Sequence, residues 1–308
     1  MKKLLCILVA LLTMLCGCSG PEQPTQVTPE PEQGMEFSDS TLVRREDVNT
    51  LLICAVAYDD AGHSKLTSLS LLVRESSGDS VLLTIPKDTR VWVERYNAQG
   101  EYSFCKYGPI GDVYYGAESA GLAESKTVEA VSALLGGVRI DRYAFLNVVQ
   151  LHDLAALTDG VYLSVEDAIM EYDIPAGYQN IVPNIENYAA YSYLNDIGGV
   201  DYPGTDPYKL QRHQQLINAV MNALADRMEG LEKGERDAFS QDILSNLRTN
   251  LAAQEVRLWL GGGQVRLAES TILAGRQQDE RQSESYWIAD PEAILEWVTA
   301  HFYLNGAQ

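Results

Sequence analysis

Apolar runs of strand length alternate along this chain with segments that have helical periodicity. Residues 50–57 (TLLICAVA) predict a buried strand, and residues 66–74 partly alternate between apolar and polar positions. Residues 80–85 predict a third strand, which Pro86 ends because proline cannot donate to a sheet. The next predicted elements are a helix at 127–135 capped by Gly136 and Gly137, a strand at 142–148, a helix at 150–157 and a strand at 161–165. This alternation favours an α/β (α+β) domain, with a mixed central β-sheet flanked by helices on both faces.

The clearest helix spans residues 207–228. Asp206 fits the N-cap and Pro207 the first helical position. Lys209 and Arg212 lie together one turn apart in the first turns, where free backbone N–H groups already favour an anion. The apolar stripe of this helix consists of Leu210, Ile217, Val220, Met221, Leu224 and Met228. The sequence therefore predicts a buried helix face beside a start that suits an anion.

Residues 238–308 predict helices, a strand pair and a final helix. The paired strands are 264–270 and 285–288, and Asp290-Pro291 open the final helix. Gly261-Gly262-Gly263 precedes the first of these strands, but no Lys-Ser or Lys-Thr follows it, so the glycines indicate a turn and not a phosphate loop. The pattern contains no internal repeat and no second domain boundary. Residues 49–305 are therefore predicted to form a single domain.

The N-terminus has the pattern of an export signal. Lys2 and Lys3 precede an apolar stretch at residues 4–15, which is short for a membrane span and typical of a signal-peptide core. The stretch ends in Leu15-Cys16-Gly17-Cys18, which resembles the bacterial lipobox. That resemblance implies that residues 1–17 are a signal peptide and that Cys18 is lipidated. The alternatives are an ordinary secretory signal and a short membrane helix.

Residues 19–36 are rich in Pro, Gln and Glu and poor in apolar side chains. Such a segment cannot bury enough surface to fold, so residues 18–48 are predicted to be a lipidated cysteine and an extended, disordered tether. The expected location is the outer face of the bacterial cytoplasmic membrane, on the cell-wall side, with the lipid as the anchor.

The formal net charge of -20 limits the partners of the chain. Loss of Lys2 and Lys3 with the signal would bring it to -22. Nucleic acid is excluded because phosphate backbones are bound by cationic surfaces. Electrostatic docking on anionic lipid is disfavoured for the same reason, which leaves membrane attachment to the lipid anchor. The acidity can also serve solubility alone.

Two cysteines remain once Cys6 and Cys16 leave with the signal and Cys18 takes lipid. An exported protein can join Cys54 and Cys105 in a disulfide. The apolar strand pattern around Cys54 instead favours a small core residue, and we expect that outcome.

Charged side chains follow the third predicted strand, in Pro86-Lys87-Asp88-Thr89-Arg90-Val91. Loops at strand ends are where α/β proteins place ligand sites. Arginine binds phosphate through two parallel hydrogen bonds, lysine offers a point charge, and aspartate is a hard oxygen ligand for Mg²⁺. The spacing therefore suits a phosphate with a divalent metal. A surface turn with a local salt bridge would have the same pattern.

The charged turn is one part of a resemblance to a known family that extends along most of the chain. Residues 85–91 (IPKDTRV) resemble the I-P-R-D-T-R-V signature of the LytR-CpsA-Psr family of cell-envelope proteins, also described as cell envelope-related transcriptional attenuators. Residues 130–165 are similar to the helix, "I-D-x-Y" strand and "L-x-x-x-x-G-G-V" stretch of that family, and residues 206–214 (DPYKLQRHQ) resemble its D-x-G-R-x-x-R-Q-Q helix start. Residues 249–251 and 285–288 match its usual tail. The resemblance runs in order from about residue 50 to 303, as a divergent lipoprotein member of the family.

The resemblance implies a phosphotransferase of cell-wall biogenesis. Members of the family move a glycopolymer, such as teichoic acid or capsule, from a polyprenyl-pyrophosphate carrier to a hydroxyl of peptidoglycan. An apolar tunnel holds the polyprenyl tail, while cationic side chains and Mg²⁺ hold the pyrophosphate and offset charge at the transferring phosphorus. The expected partners are therefore the lipid-linked glycan, peptidoglycan and the membrane.

Matching motif positions give the expected site residues. Asp88 and Arg90 are the expected catalytic residues, and Asp88 and Asp59 are the expected metal ligands. The pyrophosphate-binding positions are Lys87, Arg90, Lys209, Arg212, Gln214 and Lys106.

The chain departs from the family at two places. The family opens its second strand with Ser-Asp-Thr, where this chain has Lys65-Leu66-Thr67 and no carboxylate. Residues 190–195 (AYSYLN) stand where the family carries arginines, so phosphate contacts are lost there too. Asp60 or Asp196 could replace the missing ligand. The alternative function is therefore a catalytically degenerate protein that binds polyprenyl lipid or wall polymer without turnover.

Overall fold

Strands and helices follow one another along the chain in the predicted alternation. The computed structural model describes residues 43–58, 62–75, 78–170, 173–191, 207–261, 267–279 and 285–304, and all of them belong to the compact unit Met35–Gln308. The strands are β1 (Val43–Arg44), β2 (Asn49–Tyr58), β3 (Ser64–Arg74), β4 (Ser80–Ile85), β5 (Arg90–Tyr96), β6 (Tyr102–Pro109), β7 (Arg142–Leu146), β8 (Tyr162–Val165), β9 (Gly177–Asn180), β10 (Arg248–Thr249), β11 (Leu267–Ile272), β12 (Gly275–Asp279), β13 (Ser285–Ala289) and β14 (Tyr303–Leu304). The α-helices are α1 (Val113–Glu118), α2 (Ala123–Leu134), α3 (Val148–Ala156), α4 (Ile185–Tyr191), α5 (Pro207–Gly230), α6 (Lys233–Ser245), α7 (Ala253–Leu260) and α8 (Pro291–Phe302).

The central sheet is six-stranded, in the order β10-β7-β2-β3-β4-β11. β2 runs parallel to β7 and β4 runs parallel to β11, whereas β3 lies antiparallel between β2 and β4. β2, β4, β7 and β11 therefore point the same way and end at one edge of the sheet, which we call the carboxyl edge. These strands end at Tyr58, Ile85, Leu146 and Ile272.

Strand alternation directs apolar side chains to both faces of the sheet. On β3, Leu69, Leu71 and Val73 point into a core that α1, α2 and α8 complete. Leu72 points to the other face, where it packs with side chains of α5 and α7. A larger apolar cluster on that face contains side chains from each of the helices α3, α4, α5, α6 and α7. The prediction of a mixed sheet with helices on both faces is confirmed.

The long helix α5 packs on the face that carries Leu72. Its predicted stripe is buried apart from Met221, which is partly buried. Two polar residues, His213 and Gln214, are buried as well, and the apolar pattern did not predict them. Asp206, the expected N-cap, lies outside the described residues. Among the described residues, no helix is both long enough and apolar enough to span a bilayer.

Two predicted helix ends are confirmed. Gly136 and Gly137 have φ values of +71° and +83°, and the Gly137 N–H donates to the Ser132 carbonyl at 2.8 Å, which ends α2. That helix begins at Ala123, before the predicted start. The Asp290 carboxylate accepts a hydrogen bond from the Glu292 N–H at 3.0 Å and opens α8.

The predicted strand pair near the C-terminus is wrong. β11 pairs in parallel with β4 and so becomes the last strand of the central sheet, while β13 pairs with β12, a strand that the pattern missed. β11 has one strand neighbour, and residues Ala268, Glu269 and Ser270 are exposed. A polar edge strand has the same sequence pattern as one strand of a surface hairpin. The pattern of β11 therefore predicts a partner nearby in sequence, whereas its actual partner is β4.

Cys54 and Cys105 are free thiols. Cys54 lies on β2 in the core that faces α1, α2 and α8, and complete burial raises the pKa of its thiol well above the usual value. Cys105 lies on β6 and is half-buried. The interpretation of Cys54 as a small core residue is therefore confirmed.

Replacement of Leu69 by Ala tests the packing of the central strand. Leu69 is fully buried, so we expect Leu69→Ala to lower the free energy of unfolding by about 2–5 kcal/mol through lost contacts and a residual cavity. Leu295→Ala, at an exposed position on α8, is the matched control and should change it by less than about 0.5 kcal/mol. Urea denaturation followed by circular dichroism measures both. Equal losses in the two variants would contradict the proposed core.

Candidate functional site

The turn after β4 is held in place by its backbone. The Thr89 side chain is buried and donates to the Pro86 carbonyl at 2.6 Å, which closes the turn. The Trp287 N–H donates to the Asp88 carbonyl at 2.9 Å, and the Gly111 N–H donates to the Lys87 carbonyl at 2.9 Å. These contacts from two sides fix the backbone while the charged side chains point outward.

Gly111 is needed for this close approach. A Cβ on Gly111 would lie 3.0 Å from the Leu66 carbonyl oxygen and 3.2 Å from the Lys87 carbonyl oxygen. Both atoms belong to backbone and cannot rotate away, so a side chain there would require the backbone of the turn or of β3 to shift by a few tenths of an ångström. The geometry of the charged turn therefore depends on a glycine outside the recognised motif.

The charged side chains of the turn have defined neighbours. Lys87 Nζ lies 3.4 Å from Asp88 Oδ1, and both side chains are half-buried. The Arg90 guanidinium lies over the ring of Tyr107 at 4.9 Å and over that of Tyr286 at 5.4 Å. Aromatic faces attract a cation and restrict its rotation. Arg90 is thus oriented by β6 and β13, the strands that flank it.

The start of α5 reaches the same edge of the sheet. His213 Nε2 hydrogen-bonds to the Ser68 hydroxyl on β3, and Gln214 Nε2 donates to the Thr271 carbonyl on β11 at 2.8 Å. Ser68 precedes Leu69, whose partner on β4 is Ile85, the residue before Pro86. These contacts bring the helix turns that carry Lys209 and Arg212 to the carboxyl edge, where the charged turn begins.

The remaining predicted cation lies apart. Lys106 is exposed on β6, opposite Val93 on β5. Because side chains alternate along a strand, Lys106 projects from the face of this hairpin opposite to the Arg90 side chain. The structure brings Lys87, Asp88 and Arg90 together and does not bring Lys106 to them.

An apolar cavity of about 120 Å³ lies between the sheet and the helices of the α5 face. Its lining comes from β2, β7, α3 and the helices α5 to α7. The polar residues among the lining residues are Ser68, Asn147 and His213. Asn147 follows the end of β7, so all three lie toward the carboxyl edge. Leu51 and Trp259 line the cavity farther along the sheet. The structure thus has an apolar cavity whose polar end lies toward the carboxyl edge, and the apolar tunnel stays a prediction.

Solved structures that are similar to this chain share its fold. TagV from Bacillus subtilis is 19% identical with a TM-score of 0.60, and the match covers 83% of this chain and 96% of TagV. Protein gbs0355 from Streptococcus agalactiae is 16% identical with a TM-score of 0.62, over 82% of this chain and 85% of that one. TagT bound to LI-WTA is 17% identical with a TM-score of 0.57, over 83% and 89%.

The chain has the LytR-CpsA-Psr fold. Identities below 20% are what a divergent protein with this fold would show. Comparison of the sequence with protein-family models and with curated proteins finds no match. The resemblance over residues 50–303 is thereby confirmed at the level of fold.

The departures from the LytR-CpsA-Psr pattern have clear positions in the fold. Lys65, Leu66 and Thr67 open β3, with Leu66 buried in the core and Lys65 exposed opposite Ala57. No carboxylate is therefore supplied by this strand. Residues 192–196, like Asp59, Asp60 and Cys18, lie outside the described residues.

Asp88 is the predicted metal ligand that lies among the described residues. Among the described residues, no three His, Cys, Asp or Glu side chains form a group that could hold a metal ion. Mg²⁺ is commonly bound by one or two carboxylates together with phosphate oxygens of a substrate and water. Asp88, half-buried at the carboxyl edge beside Lys87, fits the protein share of such a site.

Two buried polar contacts were not predicted. Ser64 and Ser68 have no base near them in sequence, but the fold pairs the Ser64 hydroxyl with the Glu118 carboxylate and the Ser68 hydroxyl with His213. His213 is distant from Ser68 in sequence, so no local pattern could reveal the pair. Burial lowers the pKa of His213 to about 3, so the imidazole is neutral at physiological pH.

The buried imidazole predicts a specific loss of stability in acid. His213 has a lower pKa in the folded chain than near 6.5 when unfolded, so the unfolded chain binds a proton first as the pH falls. The contribution of His213 to the free energy of unfolding is therefore complete above about pH 6.5, and it declines by up to about 1.4 kcal/mol per pH unit toward pH 3.

We expect the wild-type free energy of unfolding minus that of His213→Gln to decrease between pH 7 and pH 4, because the variant lacks the imidazole whose pKa differs between the folded and unfolded chain. The exposed His152→Gln is the control for the loss of an imidazole. A wild-type minus His213→Gln difference that stays constant over this range would show that His213 is not buried in its neutral form.

Proposed function

We propose that this chain is an extracytoplasmic phosphotransferase that moves a glycopolymer from a polyprenyl-pyrophosphate carrier to a peptidoglycan hydroxyl. The observation that supports it is that the polar end of the apolar cavity and the charged turn both lie at the carboxyl edge of the sheet. An amphipathic donor has the same two parts, an apolar tail and an anionic head. The LytR-CpsA-Psr fold supports cell-wall glycopolymer transfer at the level of the family.

The chemistry of the cavity suits an apolar chain, and its volume of about 120 Å³ would hold a short part of the polyprenyl tail. Its walls are aliphatic side chains together with Trp259, and the polar lining residues Ser68 and His213 are hydrogen-bonded to one another. A satisfied polar pair costs little beside hydrocarbon, and apolar surface that leaves water contributes about 25 cal/mol per Å². The tail would enter with its head at the carboxyl edge.

The pyrophosphate would lie between the turn after β4 and the start of α5. Lys87 and Arg90 approach from the turn, and Lys209 and Arg212 from the first turns of α5. In a chain with a formal net charge of -20, this concentration of cations is local. Free N–H groups at a helix start add to the attraction for an anion.

The reaction needs charge stabilisation more than covalent chemistry. The acceptor oxygen bonds to the phosphorus that carries the glycan, the bond from that phosphorus to the polyprenyl phosphate oxygen breaks, and the hydroxyl proton ends on the polyprenyl phosphate released. Arg90, oriented by two tyrosines, offsets charge on the transferring phosphoryl group. Asp88 would hold Mg²⁺ with phosphate oxygens, and Asp59 is the second proposed ligand; bound Mg²⁺ supplies further charge neutralisation.

The anchor would bring the site to its substrate. The predicted tether spans residues 18–48, but Val43 and Arg44 form β1 and pair with β14, so the tether would end before β1. Cys18, lipidated in the outer leaflet of the cytoplasmic membrane, and this shorter tether would confine the domain to the surface that holds the donor lipid. Such confinement raises the effective concentration of an encounter partner without any new contact.

One observation favours a binding function without turnover. β3 begins without the family aspartate, and the Asp88 carboxylate already faces Lys87 at 3.4 Å. A chain with too few metal ligands would hold the lipid and its pyrophosphate but transfer nothing. Measurement of turnover separates this alternative from the enzyme.

Removal of the charged groups Asp88 and Arg90 should slow transfer strongly. The full-length chain in detergent is incubated with a polyprenyl-pyrophosphate glycan, peptidoglycan and Mg²⁺, and the phosphodiester product is measured by mass spectrometry. We expect Asp88→Asn and Arg90→Ala each to lower kcat/KM by about 10²–10³-fold, because each removes preorganised charge at the phosphoryl group. The exposed Asp153→Asn and Arg139→Ala are matched controls. Donor binding without product in the wild type would favour the binding function.

Filling the cavity should weaken lipid binding. Val220 is buried in the cavity wall, so Val220→Phe should lower the affinity for a polyprenyl monophosphate about tenfold, equivalent to about 1.4 kcal/mol. Val298→Phe is the matched control, because Val298 is buried in the core on the opposite face of the sheet. Titration of the detergent-solubilised chain with the lipid, followed by tryptophan fluorescence, measures both. Unchanged binding in Val220→Phe would place the tail elsewhere.

A further inference from the structure

An exposed pair of tyrosines lies on the β8–β9 hairpin. The rings of Tyr162 and Tyr178 stack with centroids 5.8 Å apart and planes 21° apart, and the residues are 49% and 75% exposed. The alternate hairpin residues Leu163 and Val165 are buried in the core, so the tyrosines face outward. Gly160 lies beneath the pair, since a Cβ there would be 2.7 Å from Tyr162 Cε2. The aromatic pair therefore offers its area to a ligand and not to the core.

A polar stripe of α5 forms the other wall of a groove beside these tyrosines. The stripe consists of Gln215, Asn218, Asn222 and Asp226, spaced three or four residues apart and thus on one face of the helix. Asn222 Nδ2 donates to Asn218 Oδ1 at 3.0 Å. The groove has a volume of about 400 Å³. Aromatic rings on one side and amide groups on the other are its defining chemistry.

The groove leads toward the proposed pyrophosphate site. Ser164 and Gln215 line both the groove and a smaller cavity of about 90 Å³. That cavity is also lined by Arg212, one of the proposed phosphate-binding residues. A ligand whose phosphate lies at Arg212 could therefore extend along α5 to the tyrosine pair.

We propose that this groove binds an uncharged oligosaccharide, the glycan part of the lipid-linked donor; this inference rests on the proposed function. The C–H faces of sugar rings stack on aromatic rings, and paired amides exchange hydrogen bonds with sugar hydroxyls. A groove that combines Tyr162 and Tyr178 with Asn218 and Asn222 supplies both kinds of contact in one line.

The charges along the groove select against an anionic polymer. Among the described residues that line the groove, Asp226 is charged and none is cationic. Arg227, beside Asp226 in sequence, lies 3.8 Å from Asp159. A chain of polyol phosphates would place a negative charge in every repeat, with Asp226 in the groove and no lining cation to offset that charge. The substrate class is therefore a neutral glycan.

Titration with defined oligomers tests the groove. The full-length chain in detergent is titrated by calorimetry with a β-1,4-linked N-acetylglucosamine hexamer, with maltohexaose and with a glycerol phosphate hexamer. We expect at least one neutral hexasaccharide to bind and the glycerol phosphate hexamer not to bind. Tyr178→Ala and Asn218→Ala should each weaken the neutral complex about tenfold. Tyr102→Ala, at a 54% exposed tyrosine outside the groove, should leave it unchanged.

Three results would overturn the proposal. These are no binding of either neutral hexamer, neutral binding that is independent of Tyr178 and Asn218, and tyrosine-dependent binding of the glycerol phosphate hexamer with equal or higher affinity. Free oligosaccharides carry neither lipid nor phosphate, so this test does not depend on transfer. If the chain transfers glycopolymer but binds neither neutral hexamer, the groove proposal fails and the proposed function is unaffected. If it binds a neutral hexamer but transfers nothing, the proposed function fails and the groove proposal is unaffected.

Discussion

The register of β3 between β2 and β4 determines what each face of the sheet can do. With Leu69 opposite Ile85, Leu69 and Leu71 enter the core beneath α8, and Ser68 and Ser70 turn toward α5. A slip of one residue would exchange the two faces. It would bury serines among leucines and remove the hydroxyl that His213 contacts. One alternating strand thus supports the core on one side and the polar end of the cavity on the other.

The convergence of four strand ends follows from the same arrangement. β3 reverses the chain between β2 and β4, so both of these strands end at the carboxyl edge, where β7 and β11 also end. Backbone hydrogen bonds from Gly111 and Trp287 then hold the turn that follows β4. The backbone of the charged turn is therefore fixed, and the start of α5 is held at the same edge of the sheet through Ser68 and Thr271.

Local patterns predicted what is local in this structure. The apolar runs gave β2, β3 and β4, and the Asp-Pro and Gly-Gly signals marked helix ends because the physics of a cap lies within a few residues. Contacts between distant residues could not be predicted in this way. The pair Ser68–His213, the position of β11 beside β4, and the hairpin of β5 and β6 behind Arg90 depend on the assembled fold. The motif of the charged turn identified Lys87, Asp88 and Arg90, but not the glycine that holds their backbone.

The residues that would contact the two ends of the proposed substrate differ in charge. The cations of the turn and of α5 lie where a pyrophosphate is expected, whereas the groove beyond Arg212 has Asp226 and amide side chains and no cation among its described lining residues. A fold shared with TagT, a protein solved with LI-WTA, therefore need not imply the same polymer. The cavity and the charged turn would recognise the lipid and pyrophosphate common to many donors, while Tyr162, Tyr178 and the α5 amides would test the sugar. Because Asp226 repels a phosphate that lies in the groove and no lining cation offsets that repulsion, a polymer with a phosphate in each repeat would bind there more weakly than a neutral glycan.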